Sequence, residues 1–241
     1  MERSRLHYPR FQLILTDLDG TLIDSVPDLA YAIDSMMSQL NLPCRGTEKV
    51  RHWIGNGIDR LVARALLDQL EGEPDSELFQ SALHLFKISY AECNGHHSTL
   101  YQGVREGLDW LNSQGYVLAC ITNKAEQFTI PLLKALDIHH YFRLIISGDT
   151  LEKKKPDPFP LLHAAKFFQV NPHNALMLGD SVHDVTAARA ACFKIICVNY
   201  GYNHGIDIRT AQPDAVIDSL AQLPDLIGSG DNVNGIVPKG F

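Results

Sequence analysis

The stretch Leu13-Ile14-Leu15-Thr16-Asp17-Leu18-Asp19-Gly20-Thr21 decides how this chain is read. It begins inside an apolar run over residues 11–16, which has the length of one strand. The run is continuous rather than alternating, as expected of a strand buried on both faces of a parallel sheet. It runs straight into two carboxylates at i and i+2, which extended backbone projects to the same side, and Gly20 permits a sharp turn just after them. Like charges confined to one small volume push a pKa upward, so such a pair marks either a metal site or an acid–base couple.

Five further apolar runs of strand length follow, over residues 116–122, 142–147, 175–178, 194–198 and 215–217. The intervals between the later ones hold a helix each, which predicts a β-α-β-α order and a Rossmann-like, doubly wound parallel sheet, an α/β fold. About ninety residues separate the first two runs, far more than one crossover helix needs. Val26, Leu29, Ala30, Ile33, Met37 and Leu40 keep helical spacing there, with Ser25 and Asp28 read as an S-x-x-D start signal. Ile58, Leu61, Val62, Ala65 and Leu66 predict a second helix after Gly55-Asn56-Gly57, and Leu78, Ala82, Leu85, Phe86 and Tyr90 a third. The expected organisation is an α/β core over residues 1–24 and 96–227, a small inserted helical cap domain over 25–95, and a flexible tail over 228–241, whose Gly-Ser-Gly-Asp-Asn composition buries little.

Composition narrows the classes of function. The 241 residues are 45% hydrophobic and 20% charged, enough to build a core, and carry a formal net charge of −7. That balance argues against nucleic-acid partners and anionic membranes, both of which call for a dense cationic surface. Cys44, Cys93, Cys120, Cys192 and Cys197 form no C-x-x-C pair, and their odd number fits a reducing compartment. Cys93 with His96 and His97 lacks a fourth ligand at metal-site spacing. No 18-residue apolar run exists, and the run over 11–15 is too short for a signal peptide, so a cytoplasmic location is expected.

The ends of the other expected strands carry the chemistry. They hold Thr122-Asn123-Lys124, then Lys155-Pro156 after a short loop, then Gly179-Asp180-Ser181 with Asp184 four residues past Asp180. Open parallel sheets bind ligands outside the carboxyl ends of their strands, which gathers Asp17, Asp19, Thr122, Lys155 and Asp180 into one pocket. Oxygen donors from Asp17 and Asp180 with a backbone carbonyl suit Mg²⁺, while Thr122 and Lys155 suit a phosphoryl group and its developing charge.

Taken in order and spacing, Asp17-Leu18-Asp19-Gly20-Thr21-Leu22, Ile121-Thr122-Asn123, Lys155-Pro156 and Gly179-Asp180-Ser181 with Asp184 resemble the four motifs of the haloacid dehalogenase superfamily. The resemblance covers roughly residues 11–225, and the insert is similar to the helical cap of its first subclass. Asp24-Ser25-Val26-Pro27-Asp28-Leu29, Trp53-Ile54-Gly55-Asn56-Gly57, Lys154-Lys155-Pro156 and Tyr200-Gly201-Tyr202-Asn203 are similar to stretches of its bacterial phosphoglycolate phosphatase branch. At Leu100-Tyr101-Gln102-Gly103-Val104 the chain departs from the family, which usually has Pro before that Gly.

The resemblance implies a Mg²⁺-dependent phosphomonoesterase acting on a small phosphate ester, 2-phosphoglycolate first. Asp17 would attack phosphorus, and Asp19 would serve first as acid and then as base. Asp17, Asp180 and the main-chain carbonyl of Asp19 would hold the metal; Thr122, Asn123, Lys155 and Gly57 would bind substrate. Asp184 would orient Lys155 or a metal-bound water, or simply occupy the first turn of a helix, where the macrodipole favours an acid.

The helix start at Gly57 offers free N–H groups to a small carboxylate, with Arg60 and Arg64 read mainly as a solvated face. Alternatives on the same fold are a phosphatase for a sugar phosphate or nucleotide, and a phosphomutase. A phosphonate-cleaving relative needs a Schiff-base lysine from the cap, where Lys49 and Lys87 lie in no recognisable motif. A receiver-like signalling module places its acceptor aspartate after the third strand rather than the first. A dehalogenase proper lacks the second carboxylate, which is present here as Asp19. Oligomeric state is left open by the sequence.

Overall fold

The computed structural model describes residues 11–227; the expected tail over 228–241 lies outside the described residues. The chain runs β1 (Leu13–Thr16), β2 (Ile23–Asp24), α1 (Val26–Gln39), α2 (Gly46–Trp53), α3 (Ile58–Leu67), α4 (Ser76–Cys93) and β3 (Thr99–Leu100). It continues as α5 (Val104–Ser113), β4 (Val117–Ile121), α6 (Glu126–Ala135), β5 (Leu144–Ile146), α7 (Phe159–Phe167) and β6 (Ala175–Gly179). The last elements are α8 (Val182–Ala190), β7 (Lys194–Val198), β8 (Ala215–Ile217) and α9 (Leu223–Ile227).

Six strands form one parallel sheet in the order β5-β4-β1-β6-β7-β8. Alternate residues of each strand enter opposite cores, as a period of two requires. Ile14, Leu118, Cys120, Leu176, Leu178 and Ile196 pack with Leu108 and Leu111 of α5 and Leu132 of α6 on one face. Leu13, Leu15, Ala119, Ile121, Met177 and Ile195 pack with Leu161 of α7 and Ala187 of α8 on the other. Both faces are therefore covered, and this is why β1, β4, β6 and β7 read as unbroken apolar runs. Chain order runs from β1 outward through β4 to β5, then returns to β6 on β1's other side and continues to β8. The topological switch point thus falls between β1 and β6, whose C-terminal ends carry Asp17 and Asp180.

A third apolar cluster joins α1 to α4 through Ile33, Met36, Val50, Val62, Phe86 and Tyr90. The chain enters this helical unit through β2 and returns through β3, which pair antiparallel with Ile23 opposite Leu100 and Asp24 opposite Thr99. Helix α2 was not legible in the sequence, because only Val50 and Trp53 of its eight residues are buried and two positions establish no period. Among the described residues no helix is long and apolar enough to cross a membrane.

The start signal expected at Ser25 and Asp28 is corrected. Ser25 occupies the N-cap of α1 but makes no side-chain capping bond, and its hydroxyl has no hydrogen-bond partner. Asp28 is fully buried and faces the returning chain instead. It accepts hydrogen bonds from the N–H groups of Gly95 (2.8 Å), His97 (2.9 Å) and Ser98 (3.0 Å) and from the Ser98 hydroxyl (2.5 Å). One carboxylate thereby fixes the segment leading from α4 into β3. Asp28→Ala would leave those buried donors without an acceptor, so we expect a loss of about 3 kcal/mol or more in urea unfolding. A loss within 1 kcal/mol would contradict that role for Asp28.

Candidate active site

The end of β1 is fixed by its neighbours: the Asp17 N–H donates to the Leu178 carbonyl of β6 at 2.8 Å. Its side chain then meets Lys155, whose Nζ lies 2.8 Å from Asp17 Oδ1 and 2.7 Å from Asp184 Oδ1. The Lys155 side chain is only 2% exposed, so it is not one of three solvated lysines despite following Lys153 and Lys154. Asp17 and Asp184 hold its ammonium above the usual lysine range against the opposing effect of burial.

Asp184 lies both in the first turn of α8 and against Lys155. From the first turn of α8 its Oδ2 accepts from the N–H of Asp180 and from the N–H and hydroxyl of Ser181, forming a capping box. Its Oδ1 faces Lys155. Burial works to raise its pKa, but Lys155 and Ser181 hold it below the ordinary carboxylate value. Asp180 accepts from the Thr21 hydroxyl (2.7 Å) and the Tyr202 N–H (2.6 Å). Two glycines make room for it. A Cβ on Gly20, which has φ +89°, would lie 2.3 Å from Asp180 Oδ2, and one on Gly201 would lie 2.2 Å from Asp180 Cβ.

Burial drives Asp180 well above the usual range, with Asp17 and Asp184 adding repulsion. Asp17 is pushed up to about 7, mainly by burial; Lys155 opposes this and Asp184 reinforces it. Single oxygens of Asp17, Asp180 and Asp184 all lie within 4.8 Å of one another. Three clustered carboxylates, two of them paired with one ammonium, form an all-oxygen set with excess acidic groups that fits a hard divalent cation such as Mg²⁺. Because Asp184 Oδ2 already accepts three hydrogen bonds, Asp17 and Asp180 are the better placed ligands.

Asp19 turns the other way. Both of its oxygens lie 3.2 Å from Lys124 Nζ, and Lys124 also donates to the Tyr90 hydroxyl at 2.5 Å. Asp17 and Asp19 nevertheless border the same cavity of about 50 Å³, together with Leu29, Ile54, Gly57, Ile58, Leu61, Thr122, Asn123 and Lys124. An adjoining recess is bordered by Asp17, Asp19, Lys155, Asp180 and Tyr202. The strand ends therefore do converge on one site.

Thr122, at the end of β4, is buried and borders the cavity. Asn123 also borders it, but its amide group donates to the carbonyls of Gly55 (3.1 Å) and Lys155 (2.9 Å), tying the helical unit to the Lys155 loop. Gly57 is the N-cap of α3, with φ +88°, and lies at the cavity wall. Arg60 pairs with Glu71 and Glu73 in solvent. Arg64 departs from the solvated reading: it is buried and donates to the carbonyls of Trp53 (2.6 Å) and Leu70 (3.0 Å).

Sequence reasoning gave no role to Tyr202 or Lys124. Tyr202 connects the Asp180 carboxylate to the start of α1, since its hydroxyl bonds to Asp24 and accepts from the Ser25 N–H. Its sequence signal was its place in Tyr200-Gly201-Tyr202-Asn203. Lys124 was legible only as the residue after Thr122-Asn123.

Comparison with known proteins agrees with this geometry. The family model for haloacid dehalogenase-like hydrolases matches residues 14–198. The chain belongs to that family and is a hydrolase. It is 58% identical over 216 residues to a phosphoglycolate phosphatase of Nitrosococcus oceani, covering 90% of this chain and 96% of that one. It is 46% identical to a phosphoglycolate phosphatase of Nitrosospira multiformis over 92% of this chain and 98% of the relative. A crystal structure described as a predicted phosphoglycolate phosphatase from Haemophilus somnus superposes with a TM-score of 0.84 at 38% identity, covering 89% of this chain and 97% of that one.

Proposed function

We propose that this protein hydrolyses 2-phosphoglycolate to glycolate and phosphate through an aspartyl-phosphate on Asp17, with Mg²⁺ as its metal. The observation that carries the reading is the meeting of Asp17 with Lys155 at 2.8 Å, in a recess bordered also by Asp180 that adjoins a cavity of about 50 Å³ at Asp17 and Asp19. Relatives named as phosphoglycolate phosphatases, similar over most of the chain, support the choice of ester.

In the first step an Asp17 oxygen forms a bond to phosphorus, and the bond from phosphorus to the ester oxygen breaks. Asp19, in its protonated form, transfers its proton to that departing oxygen. In the second step Asp19 takes a proton from water, whose oxygen attacks the phosphorus of the aspartyl-phosphate and restores Asp17. Thr122 donates to a phosphoryl oxygen, and Lys155 places a fixed positive charge beside the oxygen that attacks. Asp17, Asp180 and the main-chain carbonyl of Asp19 would hold Mg²⁺. When bound, the ion supplies positive charge that lets these acids and an anionic phosphoryl group share one volume. Asp184 keeps Lys155 aimed at Asp17.

The test is a phosphate-release screen across 2-phosphoglycolate, sugar phosphates and nucleoside monophosphates, with Mg²⁺ and then with a chelator. We expect 2-phosphoglycolate to give the highest kcat/KM and the chelator to stop release. A flat profile, or a nucleotide as best substrate, removes the proposed ester; undiminished release in chelator removes the metal.

A further inference from the structure

We infer that Lys124 binds the carboxylate of the ester's leaving group and is held for that task by Tyr90. The inference rests on the reading of the site as one for 2-phosphoglycolate, and it adds the residue that recognises the half of the substrate away from phosphorus.

The charge distribution around the cavity gives the first reason. Asp17 and Asp19 are the acids there, Leu29, Ile54, Ile58 and Leu61 are apolar, Thr122 and Asn123 are neutral, and Lys124 is the basic side chain among the bordering residues. A ligand carboxylate entering such a space gives up water among apolar and acidic groups, a cost that an ammonium offsets. Lys155 does not serve here. It borders the adjoining recess rather than this cavity, and Asp17 and Asp184 engage it at 2.8 and 2.7 Å.

The second reason is that Lys124 is engaged less tightly than Lys155. Charge-assisted N–H···O contacts close to about 2.7–2.9 Å. Lys124 stands 3.2 Å from both oxygens of Asp19, a long bifurcated contact, although its side chain is only 3% exposed. Its three N–H groups face both Asp19 oxygens and the Tyr90 hydroxyl, so a shift to a single Asp19 oxygen frees one of them for a second anion. Its remaining fixed contact is the Tyr90 hydroxyl at 2.5 Å.

Position is the third. The backbone of Lys124 is held on both sides: its N–H donates to the Thr122 hydroxyl, and its carbonyl accepts from the Gly148 N–H and the Thr129 hydroxyl. Tyr90 is fully buried on α4 and packs its ring 4.8 Å from that of Phe128. Two elements that meet only in the folded chain, α4 and the end of β4, therefore aim the ammonium beside Asp19 and Thr122.

The experiment compares 2-phosphoglycolate with 2-hydroxyethyl phosphate, which keeps the two-carbon skeleton and replaces the carboxylate by a hydroxymethyl group. Lys124→Met should lower kcat/KM for 2-phosphoglycolate at least about 30-fold more than for the neutral ester, the factor set by one charge-assisted contact. Glycolate should inhibit hydrolysis of the neutral ester by wild type and no longer inhibit the variant. Tyr90→Phe, which removes one hydroxyl, should raise KM for 2-phosphoglycolate about fivefold and leave that for the neutral ester in place. Equal losses on both esters, or glycolate inhibition retained in Lys124→Met, would overturn the assignment and leave Lys124 as a partner of Asp19 alone. A wild-type enzyme with no preference between the two esters would instead remove the 2-phosphoglycolate reading itself, and Lys124's role with it.

Discussion

Asp17→Asn is expected to lower kcat for phosphate release by about 10⁴-fold or more, since removing a covalent nucleophile costs roughly that much. An amide nitrogen or oxygen cannot form and then release the acyl phosphate, and the remaining groups contribute only positioning and charge stabilisation. The fold should survive the change. Asparagine has nearly the same volume, and the substitution removes one of three mutually repelling carboxylates while depriving Lys155 of one of its two anionic partners. These effects oppose one another, so the melting temperature should move little. Acid quenching during turnover should trap phosphate on the wild-type protein and none on the variant. Turnover within about tenfold of wild type would show that some other group attacks phosphorus, because an enzyme deprived of its nucleophile retains far less.

The strands were legible in the sequence because both sheet faces are covered. Each strand of the six-stranded sheet lies in a mainly apolar run, and the runs over 194–198 and 215–217 coincide with β7 and β8. The site followed from the same property, since chemistry in an open parallel sheet collects where those runs stop. What stayed hidden depends on contacts between distant segments. Asp28 sits where a start signal belongs, but its partners are about seventy residues away at Gly95, His97 and Ser98. Tyr202 reads as one more apolar residue until its N–H is seen against Asp180 and its hydroxyl at the start of α1. Lys124 follows Thr122 and Asn123 directly at the end of β4. Its importance lies in Tyr90, on a helix whose spacing marks that tyrosine only as core.

Lys155→Met should cost both activity and stability, and the pH dependence of the stability loss separates charge from packing. In wild type the ammonium joins Asp17 to Asp184 with almost no solvent access. Methionine fills similar space without charge, leaving Asp17, Asp180 and Asp184 buried with no cation beside them. Breaking a buried pair in this way costs about 3–5 kcal/mol near neutral pH, and loss of the fixed charge beside the attacking oxygen should lower kcat about 10³-fold. In wild type the folded-state pKa of Asp184 is depressed, so its contribution to stability is present above the unfolded value and is lost as pH falls. Without Lys155, burial and the neighbouring acids raise that folded-state pKa instead. The sign then reverses: the group favours folding at low pH, and that contribution is lost as pH rises through the raised value. Urea unfolding in chelator should therefore show a deficit, relative to wild type, that is largest near about pH 8 and shrinks toward about pH 5. A deficit of constant size across that range would mean that Lys155 supports the site by filling space, with Asp17 and Asp184 indifferent to its charge.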